Sequence, residues 1–188
     1  MNRWKTYIQG IFNVIAGTKK EEKKITVPPT LNGSNHSIQE KDLVPLIFKD
    51  PLDVDKILND PDESIAYFSM LKYGTSEEKF LILDWKGEFS HEITDYMAEY
   101  ERSYSVKLAS EHEFRRLSEL EYDYLPDKIK AVNKVIAPEG YGLFTFPTLD
   151  DTYALFISEL EHKEALTQVD LLEDENSPDE ASYIQYYV

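Results

Sequence analysis

The stretch Lys79–Glu88, KFLILDWKGE, constrains the fold of this chain most. Phe80, Leu81, Ile82 and Leu83 form an unbroken apolar run behind the turn Tyr73-Gly74-Thr75-Ser76, and charges stop it sharply. A run that short and apolar on both faces predicts a buried strand at the centre of a sheet. Asp84, Lys86 and Glu88 then crowd its end beside Trp85, where a core element runs directly into a cluster of charges.

On either side of this strand the sequence reads mainly as helix. Ser37-Ile38-Gln39-Glu40 has the form of a capping box and opens the body. Asp50-Pro51 and Asp60-Pro61 each place Pro just after a capping acid, which starts a helix, and Glu63 gives the second a box-like form. Ile65, Phe68 and Leu71 share one face, closed by Gly74. After Gly87, Phe89, Ile93, Tyr96, Met97, Tyr100 and Tyr104 fall on a single helical stripe. A short strand is expected at Val106–Ala109. The box Ser110-Glu111-His112-Glu113 starts a helix that Tyr122–Pro126 breaks, and Asp127 caps another through Ala137. Tyr141–Phe146 and Thr152–Ser158 alternate as strands of an antiparallel hairpin, with Tyr153, Leu155 and Ile157 on one face. Ser158 with Glu161 is expected to cap a helix through about Leu172, and Ser182–Val188 to add an edge strand beyond the acidic segment EDENSPDE.

The N-terminal part differs from this body. Trp4, Tyr7, Ile8, Ile11, Phe12 and Ile15 lie at helical spacing and are followed by a Lys/Glu cluster, so residues 1–24 read as an amphipathic basic helix with a charged end. The apolar part is far too short to span a bilayer, and Gln9 and Asn13 interrupt it as a secretory signal. The expected compartment is therefore the cytoplasm. The helix either docks on the body or a second copy, lies on a membrane surface, or binds a partner. Residues 25–37, rich in Pro, Asn and Gly, read as a linker in which His36 has no assigned role. Residues 38–188 form the acidic domain.

The chain carries a formal net charge of −16: residues 1–24 contribute +4 and the remainder −20. A body that acidic repels nucleic-acid phosphate and would steer a basic protein towards itself. The absence of cysteine excludes disulfides, thiolate metal sites and a cysteine nucleophile. No phosphate-cradling glycine loop, nucleophile elbow or dinucleotide fingerprint is present, and no cofactor is implied.

Two segments carry a resemblance. LDWKGE followed by a helix, and GYGLFTFPTLDDTYALFISELEHKEAL later, are similar to a family of bacterial proteins classed as a domain of unknown function. The shared features are a strand end at Asp84-Trp85-Lys86 and a hairpin closing on Asp151, Tyr153, Leu155 and Phe156, within residues 40–172. The resemblance implies no activity and no ligand. In style the chain also resembles small acidic bacterial immunity proteins, which neutralise toxins by binding.

The candidate sites follow from charge and spacing. Asp84, Lys86 and Glu88 at a strand end place an acid beside a base, the arrangement an acid–base pair needs, although a turn with solvated charges is the simpler account and no catalytic residue is assigned. His91-Glu92-x-x-Asp95 echoes a zinc-protease helix without its second histidine, so no metal site is assigned. Asp150-Asp151 near Glu159 and Glu161 offers oxygens to a hard cation, but Asp in a hairpin loop is first a turn former. His112 and His162, set among glutamates, are expected to be exposed. Tyr100, Tyr104, Tyr122 and Tyr124 stand beside acidic runs and are the candidate partner-binding anchors.

Together these features predict an α+β fold: a small, mostly antiparallel sheet packed against several helices and preceded by the N-terminal helix and linker. The expected function is non-catalytic binding of a basic protein, of the immunity or inhibitory type. The alternatives are an enzyme using Asp84, Lys86 and Glu88, and a peripheral membrane protein anchored by its N-terminal helix.

Overall fold

Alternation along three strands decides how this chain is layered. The computed structural model describes residues 38–60, 65–84, 91–148, 151–172 and 182–188, all within the compact unit Ser37–Val188. The N-terminal helix with Trp4, Tyr7, Ile8, Ile11, Phe12 and Ile15, the linker, the Asp60–Glu63 box beyond Asp60 and the acidic segment 173–180 lie outside the described residues. In chain order the elements are α1 (Glu40–Ile47), α2 (Pro51–Leu58), α3 (Ala66–Ser76), β1 (Leu81–Asp84), α4 (Glu92–Tyr104), α5 (Glu111–Glu119), α6 (Leu125–Ile136), β2 (Tyr141–Phe146), β3 (Thr152–Glu159) and α7 (Lys163–Leu166). Short 3-10 turns follow α6 and precede α7. The fold is α+β.

The sheet is antiparallel throughout, in the order β1-β3-β2. Leu81 pairs with Leu155 in one ladder, and Thr145 pairs with Leu155 in the other. The Phe80–Leu83 run is therefore an edge strand and not the centre expected of it. The centre belongs to β3, whose apparent alternation conceals a strand buried on both faces. Ala154 and Phe156 point into one core, with Phe80, Phe144 and Phe146. Leu155 and Ile157 point into the other, with Leu83 and Leu143.

Helices cover both faces. On the first, Leu43, Val44 and Ile47 of α1, Ile57 of α2 and Met70 of α3 pack on the sheet. The Phe80 ring lies against those of Phe146 and Phe156 there, with centroids 5.1 and 5.7 Å away. On the second, Ile93 and Met97 of α4, Leu117 of α5 and Ile129, Val132 and Ile136 of α6 do the same. Burying a side chain of this size stabilises by about 1.5–3 kcal/mol, which gives β3 a strong preference for the middle of the stack. Gly74 lets α3 approach β1: a Cβ there would sit 2.4 Å from the Phe80 ring.

Several local expectations hold. The Asp50 carboxylate caps α2 by accepting from the Leu52 N–H at 2.9 Å, with Pro51 in the first turn. Ser110 and Glu113 form a reciprocal capping box, with Ser110 N–H to Glu113 Oε2 at 2.9 Å and Glu113 N–H to Ser110 Oγ at 3.3 Å.

Others are corrected. The first box is shifted: Gln39 is the N-cap, and its N–H donates to Asp42 at 2.8 Å. Val106–Ala109 forms no strand, because the Glu101 carboxylate takes the amide N–H of Leu108 and of Ala109. Pro126 lies inside the first turn of α6, where its missing N–H is not needed, so it starts that helix instead of standing before it. Ser158 stays in β3 and donates to the Leu46 carbonyl at 2.7 Å, so no long helix follows it and α7 ends at Leu166. The tail joins the free edge of β2 by a single bridge, Thr145 with Gln185, both bonds at 3.0 Å. Buried Asn133 ties that arrangement to α6: it accepts from Leu143 N–H at 2.7 Å and donates to Leu143 and Tyr187 carbonyls at 3.0 and 2.9 Å.

Candidate functional site

Tyr96, Tyr100 and Tyr104 recur at every fourth residue of α4, so they share one side of the helix. Tyr96 donates its hydroxyl to the Lys79 carbonyl at 2.8 Å, which fixes the helix against the start of β1. The Tyr100 and Tyr104 rings pack against each other at a tilt of 47°, with their centroids 4.6 Å apart, and Tyr141 meets Tyr100 edge-on at 6.2 Å. Tyr141 arrives from the first residue of β2, directly across the ladder from Glu159 at the end of β3.

The Lys49 side chain enters this group from the link between α1 and α2. Its ammonium lies 5.3, 5.6 and 4.9 Å from the ring centres of Tyr100, Tyr104 and Tyr141 and donates to Glu159 Oε1 at 2.6 Å. An ammonium within about 6 Å of a ring face is attracted by its quadrupole, by roughly 0.5–2 kcal/mol depending on desolvation. The second Glu159 oxygen is 3.3 Å from His162 Nδ1, and His162 Nε2 is 3.7 Å from Glu161. Burial, and the Glu159 charge after it, push the Tyr100 hydroxyl well above the usual tyrosine range.

A second polar cluster pins α2, α3 and β1 together. Buried Asp53 accepts from the Tyr73 hydroxyl at 2.6 Å and pairs with the Lys79 ammonium at 2.7 Å. Lys56 donates to the same hydroxyl at 3.3 Å. Burial works to raise the Asp53 pKa, but the hydrogen bonds from Lys79 and Tyr73 together outweigh it and hold the carboxyl below its ordinary value. Tyr73 is pushed up to about 12 by burial and by the Asp53 carboxylate. Its hydrogen bond with Asp53 raises Lys79. Tyr104 is raised by burial, is opposed by the Lys79 charge and feels Asp53 as well, so it links the two clusters electrostatically.

The candidate residues fall into separate places. Tyr100 and Tyr104 share Lys49; Tyr100 is buried at 7% exposure, and Tyr104 is half-buried. Tyr122 lies 5.8 Å under a different lysine, Lys128. That lysine is fully buried and donates to the Leu117 and Leu120 carbonyls at the end of α5. Tyr124 is 57% exposed at the N-cap of α6. Asp84 ends β1 at an exposed position opposite Thr152, while Lys86 and Glu88 lie outside the described residues. His91, Asp95 and His112 are exposed, Asp151 is exposed, and Asp150 lies outside the described residues. His162 is half-buried between glutamates and not exposed. Among the described residues no group of three or more His, Asp or Glu is placed to hold a metal ion. No helix among them is long and apolar enough to cross a membrane.

Chemically, the tyrosine-lined group is a cation seat: three ring faces and one carboxylate around a single ammonium. It contains no nucleophile backed by a base. Ser158 Oγ is 3.5 Å from His162 Nδ1, but Ser158 is fully buried and its hydroxyl is already given to the Leu46 carbonyl. Sequence reasoning missed Lys49, Tyr141 and Glu159, which no local pattern joins, since Lys49 and Glu159 are 110 residues apart. The four-residue spacing of Tyr96, Tyr100 and Tyr104 was the available signal.

The family model for DUF6630, a domain of unknown function, matches residues 34–172, and the chain belongs to that family. The match encloses residues 40–172, over which the sequence resembles a family of that kind. Neither the curated proteins nor the solved structures give a match.

Proposed function

We propose that this protein works by binding and not by catalysis, and that it is an inhibitory or immunity-type binder of a basic protein docking at the α5–α6 corner. The observation that carries the reading is Tyr124, a large ring 57% exposed and flanked by the exposed acids Glu121, Asp123 and Asp127. Asp127 is 3.8 Å from Lys130, whereas Glu121 and Asp123 form no ion pair among the described residues. Residues 91–127, which build this side, carry ten Asp/Glu against four Lys/Arg, net −6. Excess carboxylate attracts a cationic surface over about a Debye length, and an exposed aromatic ring supplies the desolvated anchor that charge alone does not. The interior charges support the same reading: the buried Asp53 and Lys128 are each engaged inside the fold, so the charge left for recognition lies on the surface.

The test is capture of partners from a lysate of the source cells at low salt, with wild type compared with Tyr124→Ala and with the double reversal Glu121→Lys/Asp123→Lys. The reading expects a basic protein that binds wild type, is released by salt and is lost from both variants. Retention of the same proteins by all three baits, or capture of acidic proteins insensitive to salt, overturns it.

A further inference from the structure

We propose that Tyr100, Tyr104, Tyr141 and Glu159 form a binding site for a small alkylammonium ion, and that Lys49 fills it as the chain's own ligand. Three rings from α4 and β2 converge on one ammonium at 4.9–5.6 Å, and the Glu159 carboxylate closes the group at 2.6 Å. A surface Lys–Glu pair needs no such walls and contributes little by itself, whereas ring faces around a cation, with a carboxylate beside them, are how proteins recognise alkylammonium groups. The wall also contains a polar atom left over: the buried Tyr100 hydroxyl has no hydrogen-bond partner among the described residues.

The occupant can leave without disturbing the fold. Lys49 stands between two residues that hold the backbone, Phe48, the C-cap of α1, and Asp50, the N-cap of α2. Only its flexible stem enters the site, and four rotatable bonds suffice to withdraw it. The mouth is open to solvent, with Lys49 and Glu159 side chains 18% and 34% exposed. The other Glu159 oxygen lies 3.3 Å from His162 Nδ1, a neighbour that remains when the lysine goes. A tethered ammonium competes at high effective concentration, so an external cation binds wild type weakly and binds a chain lacking the lysine well. The seat is separate from the Tyr124 corner, and neither proposal depends on the other.

The experiment is thermal unfolding of Lys49→Ala in about 100 mM methylammonium chloride or tetramethylammonium chloride, against sodium chloride at equal ionic strength. For a Kd of about 10 mM the melting temperature should rise by about 3–5 °C in an ammonium salt over sodium chloride. Wild type and Lys49→Ala/Tyr141→Leu should rise distinctly less. A response to methylammonium identifies a lysine-like primary amine as the ligand chemistry, and a response to tetramethylammonium a quaternary one. No rise with either salt, or an equal rise in wild type or in the double variant, overturns the proposal. If Lys49→Ala does not fold in sodium chloride, recovery of a cooperative transition on adding either ammonium supports the site, and failure to recover one overturns it.

Discussion

Replacing Tyr100 by Phe should stabilise this protein, which is unusual for a change at a buried residue. The ring is 7% exposed and makes its contacts through its faces and edges: Tyr104 at 4.6 Å, Tyr141 at 6.2 Å and the Lys49 ammonium at 5.3 Å. Phenylalanine keeps all of these. The hydroxyl is buried and lacks a hydrogen-bond partner among the described residues, and a buried unsatisfied polar group costs about 1–3 kcal/mol. Some of that returns through the smaller volume and the slightly weaker hold of phenylalanine on a cation, which leaves a net gain of about 1 kcal/mol. For a domain of this size the melting temperature should rise by about 2–4 °C.

The change also has a pH signature. Burial raises the folded pKa of Tyr100 above the ordinary tyrosine value of 10.0. A group whose folded pKa is raised contributes stability that is present below the unfolded pKa and lost as pH rises above it. Wild type should therefore lose stability steeply from about pH 10 upwards, and Tyr100→Phe should lose less. Urea midpoints at neutral pH and along the alkaline limb measure both effects. A destabilised Tyr100→Phe, or an unchanged alkaline limb, would refute the assignment of an unpartnered hydroxyl.

Three further outcomes are expected. Lys128→Met removes the two bonds that the buried ammonium donates to the Leu117 and Leu120 carbonyls; allowing for relief of the buried charge, urea unfolding should show a loss of about 1–3 kcal/mol. Gly74→Ala forces a Cβ to within 2.4 Å of the Phe80 ring, and the overpacking should outweigh the gain of about 1 kcal/mol in helix propensity, lowering the melting temperature. Asp53→Asn breaks the pair with Lys79 at 2.7 Å and should lower neutral stability by about 1–3 kcal/mol. Because the folded pKa of Asp53 lies below its ordinary value, its contribution is present above the unfolded pKa and lost as pH falls through the folded one. Urea midpoints between about pH 5 and 2 should accordingly fall less in Asp53→Asn than in wild type.

What could be read from the sequence was what neighbours in the chain decide. Asp50-Pro51 and Ser110–Glu113 are self-contained caps, and the Tyr141–Phe146 and Thr152–Glu159 hairpin closes through a short loop, so each forms where its own residues place it. The position of a strand in the sheet is not local. Phe80–Leu83 is apolar on both sides and reads the same at a centre or at an edge. Only pairing with β3 puts it outside, and only the two helical layers show that Ala154 and Phe156 are as deeply buried as Leu155 and Ile157. Val106–Ala109 was lost as a strand to one side chain, Glu101, which satisfies the amides that a ladder would have used. The cation seat was half readable: Tyr100 and Tyr104 announce a face of α4, but Lys49, Tyr141 and Glu159 reach it only through the tertiary fold.

The proposal that the acidic α5–α6 corner receives a basic partner is tested most directly by the rate of association with the captured protein, measured by stopped flow as ionic strength rises. If the corner steers its partner, the rate constant for wild type should fall about tenfold or more between roughly 0.02 and 0.5 M salt. Glu121→Lys/Asp123→Lys should start slower and depend less on salt, while Tyr124→Ala should associate at nearly the wild-type rate and dissociate about tenfold or more faster. A wild-type rate constant that does not change with salt, and that charge reversal leaves untouched, would contradict the account.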